Sequence, residues 1–131
     1  MTVFQSLTFP DIEDLLCTFL TGALGVPVGT RASSASSFVR VLRTGGPPAT
    51  RVSDSPQVTV EAYHSRESGA VQLLERARRA LSDLPGTELS GFRIKSVDLI
   101  GGPSNLPDPS DPDLSRYTFT AVVQIRGKQP I

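Results

Sequence analysis

The stretch Tyr117-Thr-Phe-Thr-Ala-Val-Val-Gln-Ile-Arg126 decides the fold of this chain. Every second residue from Tyr117 is apolar or aromatic, namely Tyr, Phe, Ala, Val and Ile. The residues between them are Thr, Thr, Val, Gln and Arg. Because successive side chains of a strand point to opposite faces, the alternation predicts a strand over 116–126 with one face in the core. The segment before it, 102–114, contains four prolines and three aspartates. It predicts an exposed Pro/Asp loop.

Two helices are predicted from apolar residues that recur every three or four positions. The first spans 10–24, with Pro10 in its first turn, acidic residues near its start and Gly25 after its end. The second spans about 66–84, with Ser65 as the N-cap and Pro85-Gly86 as the stop.

Three further strands are predicted, over Ser37–Arg43, Gln57–Tyr63 and 92–100, and Val3–Thr8 is a candidate for a short extra one. The connection 44–56 is too long for a tight hairpin, and we expect a flexible arm there. The sequence therefore predicts an α+β domain, with two amphipathic helices packed on a mainly antiparallel four-stranded sheet. The expected order is α-β-β-α-β-β, with long Pro/Gly-rich loops.

Length and composition favour one domain over 1–131. At 131 residues and 14.0 kDa, the chain can bury roughly two-thirds of its unfolded surface. Cys17 is its only cysteine, so no intrachain disulfide is possible and intracellular synthesis is favoured. We interpret Cys17 as a packing residue beside the apolar stripe of the first helix. There is neither a run of 18 apolar residues nor a basic N-terminal region, so no membrane span or signal peptide is expected.

Charge is segregated along a chain whose formal net charge is zero. Residues 31–53 contain four arginines and no acid, whereas 98–115 contain four aspartates and no base. Neutrality argues against nucleic acid as the main partner, and segregation fits head-to-tail self-association. The basic segment would dock on acidic residues of a neighbouring subunit, in the first helix or in 108–113. The candidate interface residues are Arg40, Arg43, Arg51, Gly45, Gly46, Pro47, Pro107, Asp108, Asp111 and Asp113. A GC-rich genome and ordinary loop punctuation are the alternative explanations for the arginines and the Gly-Gly-Pro triplets.

No catalytic, cofactor-binding or metal-binding motif is present in the sequence. His64 is the only histidine and is predicted to end a strand, without a recognisable nucleophile or carboxylate arrangement around it. Asp108, Asp111 and Asp113 are spaced somewhat like calcium ligands, but the interleaved prolines break that pattern. The alternative from another functional class is a small α+β enzyme that uses His64 or Asp98 as its acid or base.

The order of several segments resembles that of the tail terminator (tail completion) proteins of long-tailed phages, especially those infecting high-GC Gram-positive hosts. The resemblance covers nearly the whole chain. The matching segments are Phe9-Pro10-Asp11-Ile12-Glu13-Asp14-Leu15-Leu16, Phe38-Val39-Arg40-Val41 with Thr44-Gly-Gly, Pro56-Gln-Val-Thr-Val-Glu-Ala-Tyr63 with the arginine-rich helix after it, and Gly101-Gly102-Pro103, Pro107-Asp108 and Arg116-Tyr117-Thr-Phe-Thr-Ala-Val-Val-Gln.

The resemblance implies a structural virion protein without enzymatic activity or cofactor. Such proteins form a ring, usually hexameric, that caps the tail tube, ends tail polymerisation and joins the tail to the head–neck connector. The implied partners are further copies of the chain, the tube protein and the connector protein, with no membrane. DNA can pass through such a ring without sequence-specific contacts. The implied location is the tail–neck junction of the virion, after assembly in the host cytoplasm. The alternative in the same setting is another neck or tail-assembly protein of similar fold.

Overall fold

A computed structural model describes residues 7–130, which form two helices and seven strands. In chain order these elements are α1 (Ile12–Leu24), β1 (Val28–Gly29), β2 (Ser37–Gly45), β3 (Ser53–Asp54), β4 (Gln57–His64), α2 (Glu67–Ser82), β5 (Glu88–Leu89), β6 (Phe92–Asn105) and β7 (Ser115–Arg126). The extra strand predicted at Val3–Thr8 lies mostly outside the described residues. Within them, Thr8 forms an isolated antiparallel bridge with Lys128.

The strands form one strongly curled, half-barrel sheet in the order β1-β2-β4-β7-β6-β5. β3 pairs with the end of β7, beyond the part of β7 that pairs with β4. The sheet is mixed, because β1 runs parallel to β2 while the other pairings are antiparallel. β6 and β7 are consecutive in the chain and form a long hairpin closed by the loop 106–114.

The predicted four-stranded α-β-β-α-β-β architecture is wrong, because the domain is mostly β with a mixed sheet of seven strands. The three added strands are two residues long, too short to show an alternating pattern in sequence. β6 also runs through Gly101-Gly102-Pro103 to Asn105, where a loop was predicted from residue 102. Pro103 is tolerated because this part of β6 pairs only with β7 and is otherwise a sheet edge.

Both helices begin and end close to their predicted bounds. The Asp11 carboxylate caps α1 by accepting hydrogen bonds from the backbone N–H groups of Glu13 (3.0 Å) and Asp14 (3.3 Å). Gly25 ends α1 in the left-handed conformation, at φ 69°. α2 has Arg66 rather than Ser65 as its N-cap residue. Neither described helix is long and apolar enough to cross a membrane.

The core lies between the helices and one face of the sheet. Along β7 the predicted inward parity is confirmed, since Phe119, Ala121, Val123 and Ile125 are all buried. β2 and β4 contribute alternate residues to the same core, and the apolar stripes of α1 and α2 complete it. The residues between these core positions on β2, β4 and β7 therefore face away from the helices. This second face of the sheet carries polar and charged side chains.

Candidate interaction surfaces

Five polar side chains meet on the sheet face that the helices leave uncovered, and we call them the Tyr63 cluster. They are Arg40 on β2, Glu61 and Tyr63 on β4, Arg116 on β7 and Asp108 in the loop 106–114. Strand register places Arg40 opposite Glu61, and Tyr63 opposite Arg116. The cluster thus follows from the period-2 alternation of three adjacent strands, with the loop folded against them.

Glu61 lies at the centre of the Tyr63 cluster and is only 7% exposed. Its Oε1 is 3.3 Å from Arg40 Nη1, and its Oε2 is 3.1 Å from Arg116 Nη1. The Tyr63 hydroxyl donates to Asp108 Oδ2 at 2.8 Å, and Arg116 Nη1 lies 3.8 Å from the same oxygen. Two guanidinium groups therefore balance two carboxylates.

The Tyr63 cluster fixes the loop 106–114 to the sheet. Burial raises the pKa of Tyr63, so its hydroxyl stays a donor at neutral pH. Hydrogen bonds from the Ser110 N–H and then from Tyr63 lower the pKa of Asp108, which stays ionised. The Tyr63 ring stacks on Phe38, with centroids 4.4 Å apart. The loop end is held further by Arg116 Nε, which donates to the Leu106 carbonyl at 2.5 Å.

Several of the predicted interface charges are paired within the subunit. Arg40 and Asp108 belong to the Tyr63 cluster. Arg43 donates its backbone N–H to Glu13 Oε2 at 3.0 Å, and its guanidinium lies 3.4 Å from Asp54 Oδ2. Glu13 was one of the acidic residues expected to receive a neighbour's arginines. The segregation seen along the sequence is thus partly neutralised in the fold, and docking through Arg40 and Arg43 stays a prediction.

The other predicted interface residues fall on two exposed segments at opposite ends of β7. Gly45, Gly46, Pro47 and Arg51 lie in the stretch 45–52, in which every residue is exposed and which we call the arm. The arm ends where the Val52 carbonyl accepts from the Gly127 N–H at 2.9 Å, just beyond β7. The loop 106–114 precedes β7 and holds exposed Pro107 and Asp113 and half-buried Asp111. The structure does not bring the two segments together.

A further surface, not found from the sequence, is a groove between α2 and the β6–β7 hairpin, which we call the α2–β6 groove. It has a volume of about 220 Å³ and a mostly apolar lining. Val71 and Leu99 are 44% and 46% exposed and form part of its walls. The remaining lining residues are Leu74, Glu75, Arg78, Gly102, Pro103, Tyr117 and Phe119.

The groove stays open because α2 lies over β4 and β7 and scarcely contacts β6. The Tyr117 hydroxyl donates to Glu67 Oε1 at 2.5 Å, which ties the ring to the first turn of α2. The sequence contained one signal of this groove, the adjacent apolar residues Leu99 and Ile100 in a predicted strand. Neighbours in a strand point to opposite faces, so one of these two side chains must point away from the core. Both are exposed.

The residues considered for chemistry, His64, Cys17 and Asp98, lie on three different elements, β4, α1 and β6. His64 Nδ1 accepts the backbone N–H of Arg66 at 3.0 Å, and its ring packs against Gly69 in the first turn of α2. Burial raises the pKa of Cys17 to about 11, so its thiol is a poor nucleophile at neutral pH. Asp98 is exposed on β6.

Among residues 7–130, no group of three or more His, Cys, Asp or Glu side chains is placed to hold a metal ion. In the same part of the chain, no buried side-chain polar atom is without a hydrogen-bond partner.

Comparison with models of known protein families finds no family that matches this chain, and comparison with curated proteins finds none that is similar to it.

Proposed function

We propose that this chain is a structural subunit that associates head to tail into a closed ring, and that the ring caps a phage tail tube and joins it to the head–neck connector. The observation that carries the proposal is the pair of unlike exposed surfaces, the arm and the α2–β6 groove. A contact between two different surfaces of identical subunits is heterologous, and it closes into a ring when the rotation between neighbours allows.

Two further features support a structural role. The Tyr63 cluster binds the loop 106–114 to the sheet with paired charges, which presents a defined surface at one end of β7. The arm extends from the other end, so the two ends of the subunit differ. A cap that meets a tube on one side and a connector on the other requires two such unlike ends. The proposal that the ring belongs to a phage tail comes from the sequence segments whose order resembles that of tail terminator proteins.

Deletion of the gene from the phage or prophage that carries it tests the proposal. We expect lysates of the deletion strain to contain filled heads separate from tails, with tails of uncontrolled length, when viewed by electron microscopy. Supplying the chain in trans should restore joined particles with tails of one length. Normal joined particles in the deletion strain would overturn the proposal. Supplying His64→Ala in trans distinguishes the structural role from the enzyme alternative. A structural role predicts full rescue, whereas an enzyme that uses His64 predicts none.

A further inference from the structure

We propose that the arm of one subunit docks in the α2–β6 groove of the next copy of this chain. This inference rests on the proposed function, since it names the contact through which the ring would form. It requires a groove suited to a short extended segment, an arm of matching chemistry, and a geometry that prevents the arm from occupying the groove of its own subunit.

The groove has the size and lining of a docking site for a few side chains. Its volume of about 220 Å³ lies below the roughly 300–1,000 Å³ typical of small-molecule sites. Tyr117 and Phe119 line it together with Pro103. Aromatic-lined grooves of this kind bind proline-rich segments in the polyproline II conformation, which loses little entropy on binding.

The arm matches that chemistry. Its sequence from Gly45 is Gly-Gly-Pro-Pro-Ala-Thr-Arg-Val, and it forms no helix or strand beyond Gly45. Pro47 fixes its own φ, and Pro48 favours an extended conformation in the residue before it. The stretch 46–50 carries no charge, and the two charges in the groove wall, Glu75 and Arg78, are paired with each other. Burying the arm in the groove therefore leaves no new unpaired charge.

The arm does not cover its own groove. None of its residues lines the groove, and both of its ends are fixed at the far end of β7, near Gln57 and Gly127. Gln57 pairs with Val122, three residues along β7 from the groove residue Phe119, a distance of about 10 Å. Gly46 lies against the backbone of Ser55 and Gln57, and Thr50 is hydrogen-bonded to Ser53, so the part of the arm between these two fixed points is the stretch 47–49. The tip of that stretch extends about 7 Å at most. The groove is also across β7, on the β6 side, so the occupant comes from another subunit.

Disruption of either partner tests the contact. Val71→Asp places a charge in the exposed groove wall, and the pair Pro47→Gly with Pro48→Gly loosens the arm. We expect each to weaken subunit association by at least about tenfold, as loss of an anchor residue at an interface does. The measurement is the concentration dependence of mass by light scattering. Gln72→Asp is the control, because it adds the same charge to an exposed neighbouring position of α2 outside the groove, and association should be unchanged.

Cross-linking keeps the proposal testable if a variant folds poorly. Subunits carrying Pro48→Cys are mixed with subunits carrying Val71→Cys and treated with a short bis-maleimide. We expect a cross-linked pair only in the mixture, with the parent chain as control because the pKa of Cys17, about 11, makes that thiol slow to react. Rings without this cross-link would overturn the contact and leave the proposed ring standing. A chain that stays monomeric would overturn both.

Discussion

Glu61 holds two arginines at once on the face of the sheet that the helices leave open. Its side chain is 10% exposed, and those of Arg40 and Arg116 are 24% and 19% exposed. Removing Glu61 leaves the two guanidinium groups facing each other without the carboxylate between them, and breaking a pair in this way costs more than the pair itself contributes. The stability of this face therefore depends on one carboxylate more than on either arginine.

Substitution of Glu61 by Gln should lower the free energy of unfolding by about 3 kcal/mol, the lower end of the range for breaking a buried ion pair. The amide keeps the shape of the side chain but leaves two like charges facing each other. Urea unfolding followed by circular dichroism measures the change. Glu75→Gln, which breaks an exposed pair on α2, should leave the urea midpoint nearly unchanged. Equal small shifts for both variants would contradict the role given to Glu61.

Asp108 should make the stability depend on pH. Its pKa is lowered in the folded state below the ordinary 3.8, so the unfolded chain takes up the proton first as the pH falls. The stabilisation is therefore complete above the ordinary pKa and is lost as the pH falls through the folded value. Asp108→Asn should be less stable at neutral pH and should lose less stability between about pH 5 and 2 than the parent chain. Parallel stability curves over that range, from urea unfolding, would exclude this contribution.

At the scale of elements, the sequence predicted those helices and strands whose apolar pattern repeats several times. α1, α2 and β7 show an apolar stripe or a strict alternation over at least ten residues, and each was placed to within two residues of its observed bounds. β1, β3 and β5 are two residues each, and they form only because each pairs with a longer neighbouring strand. Their pairing is a tertiary property, which no local pattern encodes.

β6 shows why the rest of the site could not be predicted. Gly101-Gly102-Pro103 is typical of a loop, and only the observation that this part of β6 is a sheet edge makes a proline there acceptable. The α2–β6 groove follows from the same extension, because Leu99, Gly102 and Pro103 form its outer wall. The Tyr63 cluster could have been anticipated in part, since Glu61 and Tyr63 lie on the polar parity of a predicted strand. Its link to Asp108 depends on how the loop folds back.

Gly102 should be required for the β6–β7 hairpin in a way that Gly101 is not. Gly102 has φ +93°, and a Cβ there would lie 2.6 Å from the Thr118 carbonyl oxygen and 2.8 Å from Phe119 Cα. Gly102→Ala should therefore cost at least about 1–3 kcal/mol, from backbone strain alone. At Gly101 the nearest atom to a Cβ is Thr120 Cβ at 4.0 Å, so Gly101→Ala should be close to neutral. Thermal unfolding of the two variants gives the comparison, and similar melting temperatures would contradict the close approach of β6 to β7.

At the scale of the whole molecule, the charges that are segregated in sequence are partly matched in space. Arg40 and Arg43 of the basic segment form ion pairs with Glu61 and Asp54 of their own subunit, and the Arg43 backbone N–H donates to Glu13. Reversal of Arg40 and Arg43 to Glu is therefore expected to lower subunit stability as well as any oligomer mass. Assembly should depend more on the apolar groove and the arm than on these charges, and thus should change little with salt.

The mass of the purified chain under native conditions tests the central claim, head-to-tail closure into a ring, most directly. Native mass spectrometry should show one dominant closed species at six times the subunit mass of 14.0 kDa, with Val71→Asp shifting it towards the monomer. A monomer or a symmetric dimer as the only species would contradict the claim. So would a ladder of ever larger masses, because a head-to-tail contact that does not close produces a filament instead of a ring.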